Sequence, residues 1–202
     1  MRLTLHPEYP QPRKLEQVVD FIRRGEVVAY PTDTGYALGC DMNQRKAVEH
    51  LFRFTQRPKN KPGTLLSANF KQVSQFCYIS DHAYRVVRRV LPGPYTLILE
   101  ATKAVPRHLR GKRKEVGIRI PDNPVALALL EQWGSPFLNV TAYNFSEQYL
   151  DDPLDIERFY GKQLGCIVDV DLVTEKPSTI VDLTQNPPEV LREGTGDPEV
   201  FF

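Results

Sequence analysis

No run in this 202-residue sequence approaches the roughly 20 consecutive apolar residues that a membrane-spanning helix needs. The amino-terminal "MRLTLHPEYPQPRK" lacks the apolar centre of a secretory signal, so the cytoplasm is the expected compartment. Cysteine is scarce. Cys40, Cys77 and Cys166 are odd in number and widely separated, and they form neither a disulfide framework nor a metal-ligand spacing. An excess of one charge is also missing: the formal charge of +1 argues against a wholesale polyanion coat, while leaving room for a local basic patch. Four common signatures are absent from the sequence as well. There is no Gly-x4-Gly-Lys-Ser/Thr phosphate loop, no Gly-x-Ser-x-Gly, no His-Glu-x-x-His and no dinucleotide glycine fingerprint. Any nucleotide chemistry here must use cationic side chains.

What is present is an ordinary globular composition, 41% hydrophobic and 25% charged, in a length that suits one domain over residues 1–202. A short strand (Arg2 to His6) and a Pro-rich turn lead into "LEQVVDFIRRG". There Leu15, Val18, Val19 and Ile22 recur at helical spacing and Gly25 stops the helix. "EVVAYP" reads as a buried strand ended by Pro31, followed by a turn rich in hydroxyls and glycine. "NQRKAVEHLFRFTQR" reads as an amphipathic helix capped by Asn43. "TLLSA", "LPGPYTLILEA", "VGIRIP" and "PFLNV" are strand-like. Helices are expected at Phe70 to Cys77 and at Asp81 to Val90. "NPVALALLEQW" has Asn123 as cap and Pro124 in its first turn. A short helix and the strands "GCIVDVD", "STIVDL" and "EVLREG" complete the chain. Interleaved strands and helices define an α/β fold, without fixing the strand order.

Polar groups gather at strand ends. Thr32, Asp33, Thr34 and Tyr36 follow one strand; Arg57, Lys59 and Lys61 precede another; Asn139, Thr141, Ser178, Thr179 and Arg192 come later. Loops converge outside strand ends in open α/β sheets, so these islands can meet as cations for phosphate or carboxylate and hydroxyls for a polar substrate. Each has a plainer explanation: a hydrogen-bonded turn, or a solvated basic loop. Arg119 stands inside the apolar "GIRIP", on the opposite strand face from Ile118 and Ile120, where it is either exposed or purposeful. His50 and His108 are isolated, and Cys40 reads as a small hydrophobe.

Taken in order, "VVAYPTDTGYALGCD", "QRPKNKP", "LPGPYTLIL", "VGIRIPDNPVALALL", "PSTIVDL" and "VLREG" resemble the YrdC/YciO family, whose best-known members are L-threonylcarbamoyladenylate synthases. The resemblance implies a single YrdC-like domain: a twisted, open mixed sheet with surrounding helices and a concave, positively charged face. Such synthases make threonylcarbamoyl-AMP and pyrophosphate from threonine, bicarbonate and ATP, with Mg2+ accompanying the ATP; the product serves adenosine 37 of certain tRNAs. By that resemblance Thr32, Thr34, Tyr36, Arg119, Asn139 and Ser178 form the threonine side, with Arg119 on the carboxylate. Arg57, Lys61, Thr141 and Arg192 form the ATP or AMP side. No residue is assigned as a catalytic acid or base, and none as a metal ligand.

Three departures mark this chain. Thr55 stands where the synthases carry lysine, in "TQRP"; "NVTAYN" replaces their Ser-Thr-Ser-Ala-Asn, with Tyr143 at the asparagine unless Asn144 slips into it; and Leu66 replaces a histidine. These point to the YciO branch and to a weaker or altered reaction, including acyl-adenylate hydrolysis, or to none. The other reading is a double-stranded RNA or tRNA binder, using Arg107, Arg110, Lys112, Arg113 and Lys114. That basic stretch reads equally well as a solvated loop.

Overall fold

The computed structural model describes residues 1–57, 63–110, 114–146, 148–173 and 176–202. Six helices are found among them: α1 (Pro12–Arg23), α2 (Arg45–Phe54), α3 (Phe70–Phe76), α4 (Asp81–Val90), α5 (Pro124–Trp133) and α6 (Pro153–Tyr160). The strands are β1 (Arg2–Thr4), β2 (Val27–Thr32), β3 (Gly35–Asp41), β4 (Thr64–Leu66), β5 (Cys77–Tyr78) and β6 (Tyr95–Ala101). They continue with β7 (Glu115–Arg119), β8 (Phe137–Thr141), β9 (Leu164–Asp169), β10 (Thr179–Asp182) and β11 (Glu189–Arg192). All join one mixed sheet in the order β1-β9-β2-β3-β8-β4-β7-β6-β10-β11, with β5 beside β6.

Strand register explains how the sheet divides its two faces. Cross-strand partners share a face, and side chains alternate along each strand. Leu65, Leu97, Ile118, Leu138 and Val181 fall on one face and join the larger core, together with Ala47, Val48 and Leu51 of α2, Val73 of α3, Val87 of α4 and Ile156 of α6. On the other face Val28, Tyr30, Ala37, Leu66 and Phe137 pack beneath α1 and α5. Those two helices reach only part of that face. Beyond them the same face presents Asn139 opposite Thr64, Thr64 opposite Gly117, and Thr96 opposite Ile180. An apolar-covered face thus gives way to an uncovered polar one.

Curvature follows from chain length. Residues 170–178 join β9 to β10, which lie seven places apart in the sheet. Seven strand spacings in a flat sheet come to ~34 Å, the full reach of ~34 Å for such a connection. The chain spends part of that reach turning at Asp171, whose φ is 67°. The sheet therefore cannot be flat between β9 and β10.

Local expectations fared unevenly. Asn123 caps α5, accepting from the N–H groups of Val125 and Ala126 at 3.0 Å each. Asn43 does not cap α2; it follows Asp41, whose carboxylate accepts from the Asn43 N–H at 2.9 Å, and the helix begins after Gln44. Pro31 does not end β2. Pairing with β9 stops at Ala29, so the N–H that proline lacks is not needed by that neighbour. The stretch read as a turn is a turn only at Asp33–Thr34; Gly35–Asp41 is a fully buried strand.

Candidate functional site

A cavity of about 80 Å³ opens on the polar part of the sheet. Its floor is built by alternation, from Thr64, Thr96, Arg119, Asn139, Thr141 and Ile180. Its walls come from elsewhere: Thr34 from the β2–β3 turn, Arg57 after α2, Tyr149 from the segment after β8, Pro177 and Ser178 from the crossover, and Arg192 from β11. Three guanidinium groups meet several hydroxyls, and no carboxylate lines the cavity among the described residues.

Arg57 is aimed by the way α2 ends. Gln56 adopts a left-handed conformation, φ 51°. The Arg57 N–H then reaches back to the Phe52 carbonyl at 3.0 Å and the Gln56 N–H to Arg53 at 3.2 Å. This is a Schellman close, built here on a non-glycine residue. Burial holds the Arg57 guanidinium below the usual arginine value; nearby Tyr143 opposes that, and Arg192 reinforces it. Thr55, at the helix C-cap, turns its hydroxyl onto the Leu51 carbonyl at 2.7 Å. The position at which the family resemblance leads one to expect lysine thus closes a helix here.

Arg119 is buried, at 5% exposure. Its Nη2 donates to Asp33 Oδ1 at 2.6 Å, its Nη1 to Thr34 Oγ1, and its Nε to the Gly93 carbonyl at 3.2 Å. Burial depresses its pKa and the Asp33 carboxylate counters this, while Arg192 adds to the depression. Asn139 is held from the helix-covered side of the same face. The buried Tyr30 hydroxyl donates to Asn139 Oδ1 at 3.1 Å. The Tyr30 ring lies across Gly39, where a Cβ would come within 2.7 Å of it. Opposite, Ser178 meets Thr96 (Oγ to Oγ1, 3.0 Å) and accepts from Arg192.

Of the candidate residues, Thr34, Arg57, Arg119, Asn139, Thr141, Ser178 and Arg192 line one cavity. Thr32 and Tyr36 are buried but outside its lining. Thr32 donates to the Gly35 carbonyl at 2.7 Å and accepts from the Thr34 N–H at 3.2 Å, shaping the turn. Tyr36 donates to the Asp171 carbonyl at 3.0 Å and accepts from the Val170 N–H at 3.2 Å, anchoring the start of the crossover. Lys59, Lys61, Lys112 and Arg113 lie outside the described residues. Asn144 does not line the cavity either. Its Oδ1 accepts from the N–H groups of Ser146 and Gln148 at 2.8 and 2.9 Å, closing its own loop. Sequence reasoning passed over Thr64, Thr96, Tyr149 and Pro177. For the two threonines a signal existed: each stands at or near the start of an apolar strand run, in the strand phase that Arg119 also occupies.

The described part of the basic stretch lies elsewhere. The stretch joins Ala101 to Glu115, while Arg119 pairs toward the other end of the β6–β7 hairpin. Arg110 donates to the carbonyls of Val105 at 2.8 Å and Lys103 at 2.9 Å, so its guanidinium braces its own loop. Arg107 and Lys114 are exposed.

A mixed α/β sheet with a polar, arginine-bearing floor at the edge of its helical cover defines the class of this protein. The family described as "Sua5_yciO_yrdC: Telomere recombination" matches residues 20–194. The chain is 39% identical to YciO of Escherichia coli over 98% of its own length and 97% of that protein. It superposes on the crystal structure of E. coli YciO with a TM-score of 0.96, covering 100% of this chain and 99% of that one. It is 33% identical to the threonylcarbamoyl-AMP synthase of Vibrio vulnificus, over 89% of this chain and 98% of the synthase. The structure of Pyrococcus abyssi Sua5 complexed with L-threonine matches with a TM-score of 0.90 at 30% identity, covering 96% of this chain and 57% of Sua5. The chain belongs to the Sua5/YciO/YrdC family. No helix among the described residues is long and apolar enough to cross a membrane.

Proposed function

We propose that this protein binds an adenine nucleotide and a small hydroxy-amino acid in the arginine-lined cavity and joins them in a threonylcarbamoyl-AMP type of reaction. The observation that carries this reading is the convergence of Arg57 and Arg192, from separate parts of the chain, on one hydroxyl-rich cavity with no lining carboxylate among the described residues. Such a cavity favours phosphate and carboxylate over neutral ligands. The threonine bound in the related Sua5, and the product named for the Vibrio synthase, support the choice of amino acid and nucleotide.

In the reaction, the threonine amine attacks CO2 derived from bicarbonate, and the resulting carbamate oxygen attacks the α-phosphorus of ATP. Pyrophosphate leaves, and water balances the bicarbonate. Charge neutralisation and positioning carry such a step, without a dedicated acid or base. Among the described residues no group of three His, Cys, Asp or Glu side chains is placed to hold a metal. A Mg2+ ion would therefore travel on the nucleotide's own phosphate oxygens.

The test is pyrophosphate release from ATP with threonine and bicarbonate, alongside direct detection of the acyl-adenylate. Turnover that is lost in Arg57→Ala is the expected result. Failure of the protein to bind ATP or AMP at millimolar concentration would overturn the reading. Binding without synthesis, but with hydrolysis of supplied threonylcarbamoyl-AMP, would place the protein on the acyl-adenylate hydrolysis branch.

A further inference from the structure

We propose that Asp33 determines the specificity of this cavity: it is a built-in counter-anion that occupies Arg119 and directs a ligand's negative group to the wall lined by Arg57 and Arg192. The inference rests on the anion-binding reading of the same cavity, and it departs from the role that family resemblance gives Arg119.

The geometry is that of a closed pair. Three of the five guanidinium N–H groups of Arg119 point at protein acceptors: Asp33 Oδ1, Thr34 Oγ1 and the Gly93 carbonyl. The pair's side chains are 6% and 14% exposed. The second carboxylate oxygen of Asp33, Oδ2, is buried with no hydrogen-bond partner among the described residues. Breaking the contact through Oδ1 would leave the entire carboxylate buried without its cation, which strongly disfavours exchange. A ligand carboxylate that displaced Asp33 would only replace one carboxylate by another. Arg192 differs. Its contacts among the described residues are to neutral oxygens of Ser178, and an arriving anion meets its charge without first displacing an acid. Asp33 also answers a problem of assembly, since Arg192 disfavours the charges of both Arg57 and Arg119. With Asp33 in place, the charge of Arg119 is balanced inside the protein.

Thr34 becomes directional as a result. Its hydroxyl oxygen accepts from Arg119, so its proton is available toward Thr32 Oγ1, 3.3 Å away, or toward a ligand acceptor in the cavity.

The experiment is a double-mutant cycle read as pyrophosphate affinity by calorimetry, with thermal melts as the folding control. Asp33→Asn frees Arg119 and is expected to tighten pyrophosphate about fivefold or more. Arg119→Gln leaves an uncompensated acid beside the cavity and is expected to weaken it by a similar factor. Asp33→Asn combined with Arg119→Gln replaces a neutral pair by a neutral pair and is expected to bind within about twofold of the parent protein. A double variant that loses as much affinity as Arg119→Gln would show that Arg119 touches the anion directly and would overturn the proposal. So would an Asp33→Asn protein with unchanged affinity, or a parent protein that binds no pyrophosphate at millimolar concentration. Each single variant strands a buried charge; if either fails to fold, comparison of the parent with the double variant decides alone. Absence of synthase turnover, with this cycle intact, would count against the reaction and not against the role of Asp33.

Discussion

Arg192 on β11 grips Ser178 on the crossover through three contacts. Nε and Nη2 donate to the Ser178 carbonyl at 3.0 and 2.8 Å, and Nη2 also donates to Oγ at 3.0 Å. Two of the three acceptor contacts are to the backbone, so the cation is positioned by the chain path more than by the serine hydroxyl. The serine is in turn tied to Thr96 on β6. A cation on a strand at the sheet edge is thereby fixed over the floor of the cavity.

Ser178→Ala should therefore be the milder change. It removes one of the three contacts and leaves Arg192 held by the carbonyl, so nucleotide affinity should fall by about threefold or less. Arg192→Ala removes the charge itself and should cost about tenfold or more. Titration of ATP into both variants checks the ranking. Equal losses would mean that the hydroxyl, and not the guanidinium, meets the ligand.

Thr55→Lys should restore a cation near Arg57 with little loss of stability. The change removes one side-chain contact to Leu51 but places a positive charge at the C-terminal end of α2, where the helix dipole favours it. ATP affinity should rise several-fold, and pyrophosphate release should rise with it. Unchanged binding would show that a side chain at this position does not reach the phosphates, in keeping with the absence of Thr55 from the cavity lining.

Gln56→Gly should stabilise the protein. A side chain in the left-handed region costs about 1 kcal/mol that glycine avoids, partly offset by glycine's greater freedom in the unfolded chain. A net gain of about 0.5 kcal/mol is expected in urea unfolding, with Arg57 still aimed into the cavity and ATP binding unchanged. A loss of ATP binding would mean that the Gln56 side chain helps to orient Arg57.

How much of this was legible in the sequence depended on how local each feature is. The cap and first turn of α5 rest on Asn123 and Pro124 alone, and both were readable. The unusual placement of Arg119 was visible from period-two alternation, because β7 has one buried face and one polar one. β3 was missed for the opposite reason. "GYALGCD" is buried on both sides, so alternation vanishes and its glycines imitate a turn. The pairing of Asp33 with Arg119 spans 86 residues and depends on sheet order, which no periodicity encodes. Family resemblance pointed to islands that the fold brings to one cavity, yet it could not separate residues that line the cavity from those, such as Thr32 and Tyr36, that shape its surroundings.

RNA binding, if it occurs, should follow Arg107 and Lys114 more than Arg110. The guanidinium of Arg110 closes its loop onto Val105 and Lys103, so Arg110→Ala should lower thermal stability. Arg107→Ala and Lys114→Ala should instead lower affinity for a double-stranded RNA. That affinity should fall by about tenfold or more between low and physiological salt. A flat salt response would remove RNA from consideration, while the cavity, at the other end of the hairpin, would be unaffected.

The three cysteines supply a pH prediction whose sign is fixed by burial. Cys40, Cys77 and Cys166 are all buried, and that burial pushes each thiol up to about 12. In the unfolded chain the same thiols ionise near about 8.5. As pH rises through that value the unfolded state releases protons that the folded state retains, so stability declines with rising pH and keeps declining toward about 12. Each thiol contributes a limiting slope of about 1.4 kcal/mol per pH unit. Urea midpoints should therefore fall between pH 8 and pH 10, beyond any change seen between pH 6 and pH 8. The same burial should protect the thiols from iodoacetamide in the native protein at pH 8, with all three labelled in urea. Rapid labelling of the native protein would show that one of these sites opens without global unfolding.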